Sequence, residues 1–266
     1  MNTPTIVLTI AGSDSSGGAG IQADIKAISA LGSFAASAIT SITAQNTLGV
    51  QGIHPVPTEM VRQQIESVMD DLHPQAIKIG MVCDAAITHV IAECLRKYQP
   101  ARVVYDPVMV STSGHKLMTD DTIATICREL LPQATLITPN LHEARILTGH
   151  DLNTIGQMEQ GAEKLSNMYG CSVLIKGGHL NGNEMCDVLY DAQRKRNFHF
   201  QAPKIESRNL HGTGCTLSSA IASGLAKGFT LGQSVVRAKE YISGALSAML
   251  DLGKGSGPLH HGFKAE

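Results

Sequence analysis

The sequence holds no tryptophan, and only five phenylalanines and five tyrosines among 266 residues. Platforms for stacking nucleic-acid bases are therefore scarce, and a net charge of −2 gives no basic excess for a phosphate backbone. Nothing approaches the roughly 18 consecutive apolar residues that would span a bilayer. Met1-Asn2-Thr3-Pro4 lacks the positive charge of a secretion signal, so the chain is expected in the cytoplasm. The six cysteines, at 83, 94, 127, 171, 186 and 215, form neither a C-x-x-C pair nor a zinc-ligand spacing, which predicts reduced thiols. The P-loop G-x-x-x-x-G-K-[ST] is missing. Gly18-x-Gly20-x-x-Ala23 fits a dinucleotide fingerprint, but that reading needs an acidic residue roughly 20 positions on. No Asp or Glu occurs between Asp24 and Glu59, which excludes it.

What is present is core material: 43% hydrophobic and 17% charged residues, without linker, repeat or low-complexity tract. One domain over 1–266 is expected. Short β-branched runs at 6–10, 37–42, 76–79, 102–105, 136–138 and 172–175 are each followed by Gly, Asp, Pro or Asn. Helical periods fall at 19–31, 58–72, 85–98, 120–130, 141–148, 158–169, 215–227 and 231–250. The alternation predicts a three-layer α/β/α fold with a mostly parallel sheet. Residues 187–203 read as a hairpin with Arg194-Lys195-Arg196 near its solvated turn. In such folds the site lies beyond the carboxyl ends of the strands.

Several polar groups fall on that edge. His211-Gly212-Thr213-Gly214-Cys215-Thr216 is a glycine turn running into a small-residue helix, where unpaired N–H groups and the positive dipole end favour an anion. The loop from Ala11 to Gly20 follows the first strand and suits a substrate pocket. Asp106-Pro107 ends one strand, Thr138-Pro139-Asn140-Leu141-His142-Glu143 another, and Lys176-Gly177-Gly178-His179 a third. Taken singly, each also fits an ordinary turn or helix cap. Together, carboxylates suited to Mg²⁺, an amide-rich helix start and a lysine make the equipment of phosphoryl transfer, which is mainly positioning and charge neutralisation.

Over nearly its whole length the chain resembles the ribokinase-like superfamily. Within it, the chain resembles the hydroxymethylpyrimidine and phosphomethylpyrimidine kinases, close to the pyridoxal kinases. The resemblance rests on LTIAGSDSSGGAGIQADIK (8–26), ITAQNTLGVQ (42–51), KIGM (78–81), DPVM (106–109), TPNLHEA (138–144), KGGH (176–179), HGTGCTLSSA (211–220) and GKGSGP (253–258). It implies ATP-dependent phosphorylation of 4-amino-5-hydroxymethyl-2-methylpyrimidine and then of its monophosphate, in thiamine synthesis. It further implies an anion hole at Gly212, Thr213 and Gly214, with Cys215 facing the acceptor hydroxyl where many relatives carry aspartate. A thiolate at a helix amino terminus could act as a base there. Asp24 and Gln45 would bond the aminopyrimidine, in a pocket shaped by Gly12, Met81 and Val108. Asp106, Asn140 and Glu143 would manage Mg²⁺ and the nucleotide phosphates; Lys176, Thr213 and Lys239 would contact ATP. A flap over residues 110–115 and a homodimer are implied as well. A pyridoxal kinase and a non-catalytic nucleotide-binding protein remain the alternatives.

Overall fold

A computed structural model describes residues 3–109, 118–178 and 184–264. The expected flap at 110–115 and His179 therefore lie outside the described residues.

The chain builds β1 (Ile6–Asp14), α1 (Gly20–Ala30), β2 (Phe34–Asn46), β3 (Gly49–Pro55), α2 (Thr58–Asp71), β4 (Ala76–Ile79), α3 (Ala85–Tyr98) and β5 (Val103–Tyr105). It continues through α4 (Asp120–Glu129), β6 (Leu136–Ile137), α5 (Leu141–Thr148), α6 (Ile155–Tyr169) and β7 (Ser172–Ile175). The last elements are β8 (Glu184–Asp191), β9 (Arg196–Pro203), α7 (Thr213–Ala226) and α8 (Leu231–Ser247). All nine strands form one sheet in the order β3-β2-β1-β4-β5-β6-β7-β8-β9. The six strands from β2 to β7 are parallel; β3, β8 and β9 pair antiparallel with their neighbours.

Side-chain alternation along the strands divides the core into two layers. Leu8 and Ile10, Val103 and Tyr105, and Val173 and Ile175 face one layer, packed by α2 to α6. Val7, Val104 and Leu174 face the other, against α1, α7 and α8. Because both faces are covered, the strands read as continuous apolar runs, which is why short β-branched stretches located them. The three-layer α/β/α architecture expected from the sequence is the one observed.

One strand was not expected. β3 is a glycine-containing edge strand whose residues are mostly exposed, so burial left no alternation in its sequence. The chain also reverses its direction of travel across the sheet between β1 and β4. Such a reversal opens a crevice at the strand carboxyl ends, and the polar loops converge on it.

Candidate active site

The loop after β1 is organised by Asp14. Its carboxylate accepts the backbone N–H groups of Ser16 at 2.8 Å, Gly18 at 3.1 Å and Ala19 at 2.8 Å, together with the Ser16 hydroxyl. His211 Nε2 stands 2.7 Å from the same carboxylate. Burial alone would raise the Asp14 carboxyl, but the bonds from His211, Ser16 and Ala19 outweigh it and hold the group well below the usual carboxylate range. Next to His211 the two glycine loops meet backbone to backbone. Gly212 has φ +83°, and a Cβ there would fall 1.9 Å from the carbonyl oxygen of Gly18. Only glycine satisfies both demands.

Gly212 also caps α7. No side-chain hydrogen bond closes that helix end, as at α1 and α2, whereas Asp84, Thr119, Asn140, Thr154 and Thr230 close α3, α4, α5, α6 and α8. The Thr213 hydroxyl turns back to donate to Leu210 O at 3.1 Å instead. The first turn of α7 thus keeps the amide-rich, positive character of an anion site.

Opposite this turn stand Asp106 and Lys176, from the ends of β5 and β7. Asp106 Oδ1 accepts from Lys176 Nζ at 2.6 Å and from the Thr138 hydroxyl at 3.0 Å. A Cβ on Gly214 would lie 3.1 Å from Asp106 Oδ2 and 3.2 Å from Lys176 Nζ, so the helix start approaches carboxylate and lysine too closely for a larger side chain. Burial works against the charge of Lys176, but Asp106 and Glu143 hold its pKa above the usual lysine value. Asn140 and Glu143 form a reciprocal capping box at α5: Asn140 Oδ1 accepts the Glu143 N–H at 2.9 Å, and Glu143 Oε2 accepts the Asn140 N–H at 2.8 Å. Burial, with Asp106 adding to it against the pull of Lys176, pushes the Glu143 carboxyl up to about 7.

Gly12, Met81 and Val108 lie on the same edge. A Cβ on Gly12 would sit 2.7 Å from Met81 Cε, and the Val108 N–H donates to Asp106 O at 2.8 Å. Gln45 is half-buried at the end of β2, its amide 3.3 Å from His211 Nε2.

Burial changes the reading of Asp24 and Cys215, and Lys239 has a protein partner of its own. Asp24, expected to bond a substrate ring, is fully buried and accepts four hydrogen bonds. These come from Lys78 Nζ at 2.9 and 2.8 Å, the Ser219 hydroxyl at 2.7 Å and the Thr9 hydroxyl at 2.6 Å. Four hydrogen bonds from three donor groups fill the roughly four lone-pair positions of a carboxylate, so Asp24 serves as the counter-ion of Lys78. Cys215 was expected to favour the thiolate at its helix terminus. Burial outweighs the pull of Lys78 and pushes the thiol up to about 11, so the resting form is neutral. Lys239, expected to contact ATP, donates to Asp187 Oδ2 at 2.5 Å, while Asp187 Oδ1 accepts the Gly177 N–H at 2.8 Å. It braces the turn that carries Lys176.

Sequence reading missed Asp14, Lys78 and Asp187 as members of this assembly. The Asp14-Ser15-Ser16-Gly17 stretch carries the signature of an Asx turn, and a lysine inside the apolar run Ala76–Ile79 calls for a buried partner. Asp187 gave no comparable signal.

The sequence profile described as phosphomethylpyrimidine kinase matches residues 14–260. The chain belongs to that family. It is 49% identical over 259 residues to the hydroxymethylpyrimidine/phosphomethylpyrimidine kinase of Rhizobium meliloti (strain 1021), covering 96% of each chain. Phosphomethylpyrimidine kinase from Clostridium difficile 630 superposes with a TM-score of 0.80 at 42% identity, over 90% of this chain and 98% of that one. The ADP complex of Bacillus subtilis pyridoxal kinase gives a TM-score of 0.90 at 34% identity, over 98% of both chains. The phosphomethylpyrimidine kinase family and the ribokinase-like fold anticipated from the motifs are thus the ones found. Among the described residues no helix is long and apolar enough to cross a membrane.

Proposed function

We propose that this member of the phosphomethylpyrimidine kinase family transfers the terminal phosphoryl group of ATP to the hydroxymethyl oxygen of 4-amino-5-hydroxymethyl-2-methylpyrimidine, and then to the resulting monophosphate, in thiamine biosynthesis. The observation that carries the reading is the close approach of Gly214, at the open start of α7, to both Asp106 and Lys176, which leaves little room for a Cβ. It gathers amide dipoles and a fixed cation around one point at the sheet edge, as transfer through a charge-spread transition state requires.

In this reading the first amides of α7 and Lys176 take up the charge on the moving group, and Asp106 aims Lys176. Asn140, Thr213 and Lys239 flank the nucleotide, while Gly12, Gln45, Met81 and Val108 bound the pyrimidine. The acceptor O–H bond breaks as the O–P bond forms, and ADP leaves with the electron pair of the cleaved bond. A loose transition state loses that proton late, to an oxygen of the transferred phosphoryl group, so a neutral Cys215 sulfur can accept the hydroxyl's hydrogen bond without becoming a thiolate or taking the proton itself. The same neutral thiol does not repel the monophosphate dianion in the second transfer.

Among the described residues no three His, Cys, Asp or Glu side chains gather as a metal cage. Two neighbouring carboxylates fit Mg²⁺ carried in by nucleotide phosphates, which is how this ion is usually held. Asp106 and Glu143 would hold it from the protein side, and it would neutralise phosphate charge. Exposed Ile42, Leu48, Val50 and Ile53 on the β2–β3 hairpin suit contact with a second copy, as in a homodimer.

Incubation with ATP, Mg²⁺ and the pyrimidine, followed by mass spectrometry of products, tests the reading. Monophosphate followed by diphosphate is the expected result. The TM-score of 0.90 to a pyridoxal kinase makes pyridoxal the necessary comparison. A higher kcat/KM on pyridoxal would turn the assignment to that vitamin, and ATP binding without acceptor-dependent turnover would end it.

A further inference from the structure

His211 Nε2 has two polar neighbours: Asp14 Oδ2 at 2.7 Å and the Gln45 amide at 3.3 Å. Both pairs are far apart in sequence, and the Asp14 and His211 side chains are only 3% and 12% exposed. A bare Nε2 lone pair facing a carboxylate at that distance would be repelled, so the proton of Nε2 points at Asp14. With Nε2 protonated, the Gln45 group that faces it must be the amide oxygen, the longer arm of a three-centre bond from that one proton, since an N–H would oppose an N–H. A half-turn of the Gln45 amide brings this about and places its nitrogen towards the Thr43 hydroxyl, 3.1 Å away. Thr43 accommodates this arrangement. Its single hydroxyl proton goes to Ser13 O at 3.0 Å, leaving the oxygen free to accept from Gln45.

We propose that Asp14 and His211 are a positioning pair that fixes the Gln45 amide with its oxygen towards His211, so that Gln45 offers a matched donor and acceptor to the acceptor-substrate ring. After the contacts to His211 and Thr43, one amide hydrogen and one oxygen lone pair remain. Side by side they complement a ring nitrogen next to an exocyclic amine, the edge of a 4-aminopyrimidine. A pyridoxal ring, with no amine beside its nitrogen, offers no such edge. The inference rests on the proposed pyrimidine kinase reading and adds the residues that select the ring. Asp14 and His211 come from the two glycine loops, so the same pair ties ring selection to the turn that binds the phosphoryl group.

The experiment compares His211→Leu, His211→Gln and Asp14→Asn by steady-state kinetics, with the melting temperature of each, and records the imidazole ¹⁵N resonances of the substrate-free protein. Glutamine places an amide nitrogen near the position of Nε2 and restores the donor. His211→Leu is expected to raise the pyrimidine KM about tenfold or more while the ATP KM stays within about twofold, and His211→Gln to recover most of the loss. The ¹⁵N spectrum should show a protonated Nε2 on His211. Equal losses in the leucine and glutamine variants, an equal rise in both KM values, or a bare Nε2 would overturn the proposal. If His211→Leu does not fold, the glutamine and Asp14→Asn variants carry the comparison, Asp14→Asn being expected to raise the pyrimidine KM selectively. Should the wild type prefer pyridoxal, the function reading fails, whereas the His211 proton position, read without substrate, still judges the pair.

Discussion

Lys78 Nζ lies 2.8 Å from Asp24 Oδ2 beneath the start of α7, and neither side chain is exposed to solvent. Burial opposes the charge on Lys78, yet Asp24, with smaller contributions from Cys215 and Asp106, holds its pKa above the usual lysine value. Removing one member leaves the other as an uncompensated buried charge. Lys78→Met should therefore destabilise the fold by about 3–5 kcal/mol, read by urea denaturation. Adding Asp24→Leu should return part of the loss, the remainder reflecting the Thr9 and Ser219 hydroxyls deprived of their acceptor. Full additivity of the two losses would mean that the pair is not coupled.

Gly214→Ala separates stability from chemistry. The residue lies in the first turn of α7, where replacing glycine by alanine improves helix propensity by up to about 1 kcal/mol. The new methyl group would press on Asp106 Oδ2 and Lys176 Nζ. The melting temperature should hold or rise while kcat falls by on the order of tenfold or more, because reacting groups are displaced. Wild-type turnover in this variant would remove the approach of α7 to Asp106 and Lys176 from the reaction.

Glu143 gives the metal-free, nucleotide-free protein a pH dependence of defined sign. Its ordinary value of 4.5 is pushed up to about 7 in the folded chain, chiefly by burial. Between those values the folded state holds a proton that the unfolded state has released, so the contribution of Glu143 is fully present below about pH 4.5. It is lost as pH rises through about 7, by roughly 3 kcal/mol in total. Denaturant midpoints measured from pH 4.5 to 8 should show this decline in the wild type and a flatter course in Glu143→Gln. Parallel curves would contradict the assignment.

Cys215 should react as a thiol and not as a thiolate. With its value pushed up to about 11 by burial, alkylation followed by peptide mass mapping should be slow at pH 8 and accelerate only towards pH 10–11. Half-maximal reactivity near pH 7 would restore the thiolate reading. In kinetics, Cys215→Ala should slow transfer to the alcohol more than transfer to the monophosphate, since only the alcohol must lose a proton.

Much of this arrangement is legible in the sequence. The parallel strands announced themselves because burial on both faces makes them short apolar runs; Asp106 and Lys176 directly follow the ends of such runs, and Asn140 lies three residues beyond another. The glycine turn before α7 was equally visible. The actual use of Asp24 was hidden, because a carboxylate in a helix reads the same whether it meets solvent, a ligand or a buried lysine 54 residues away. The thiol form of Cys215 was hidden too. Helix-terminus chemistry is local and can be read from sequence, whereas the burial that outweighs it depends on everything packed around the residue. β3 escaped because an exposed edge strand carries no burial pattern.

The meeting of the two glycine loops also bears on the order of folding. Asp14 and His211 are 197 residues apart, and His211 is itself bridged to Pro258 in the segment after α8. A chain emerging from the ribosome can pair β1 with β2 and β4 early, since those partners follow closely. The loop after β1, however, waits for its histidine, and the histidine waits for the carboxyl-terminal segment. Contacts of such sequence separation form late because loop closure must be completed first. Catalytic competence is thus one of the last properties the nascent polypeptide acquires, and a ribosome stalled before residue 258 would display most of the sheet but no working enzyme.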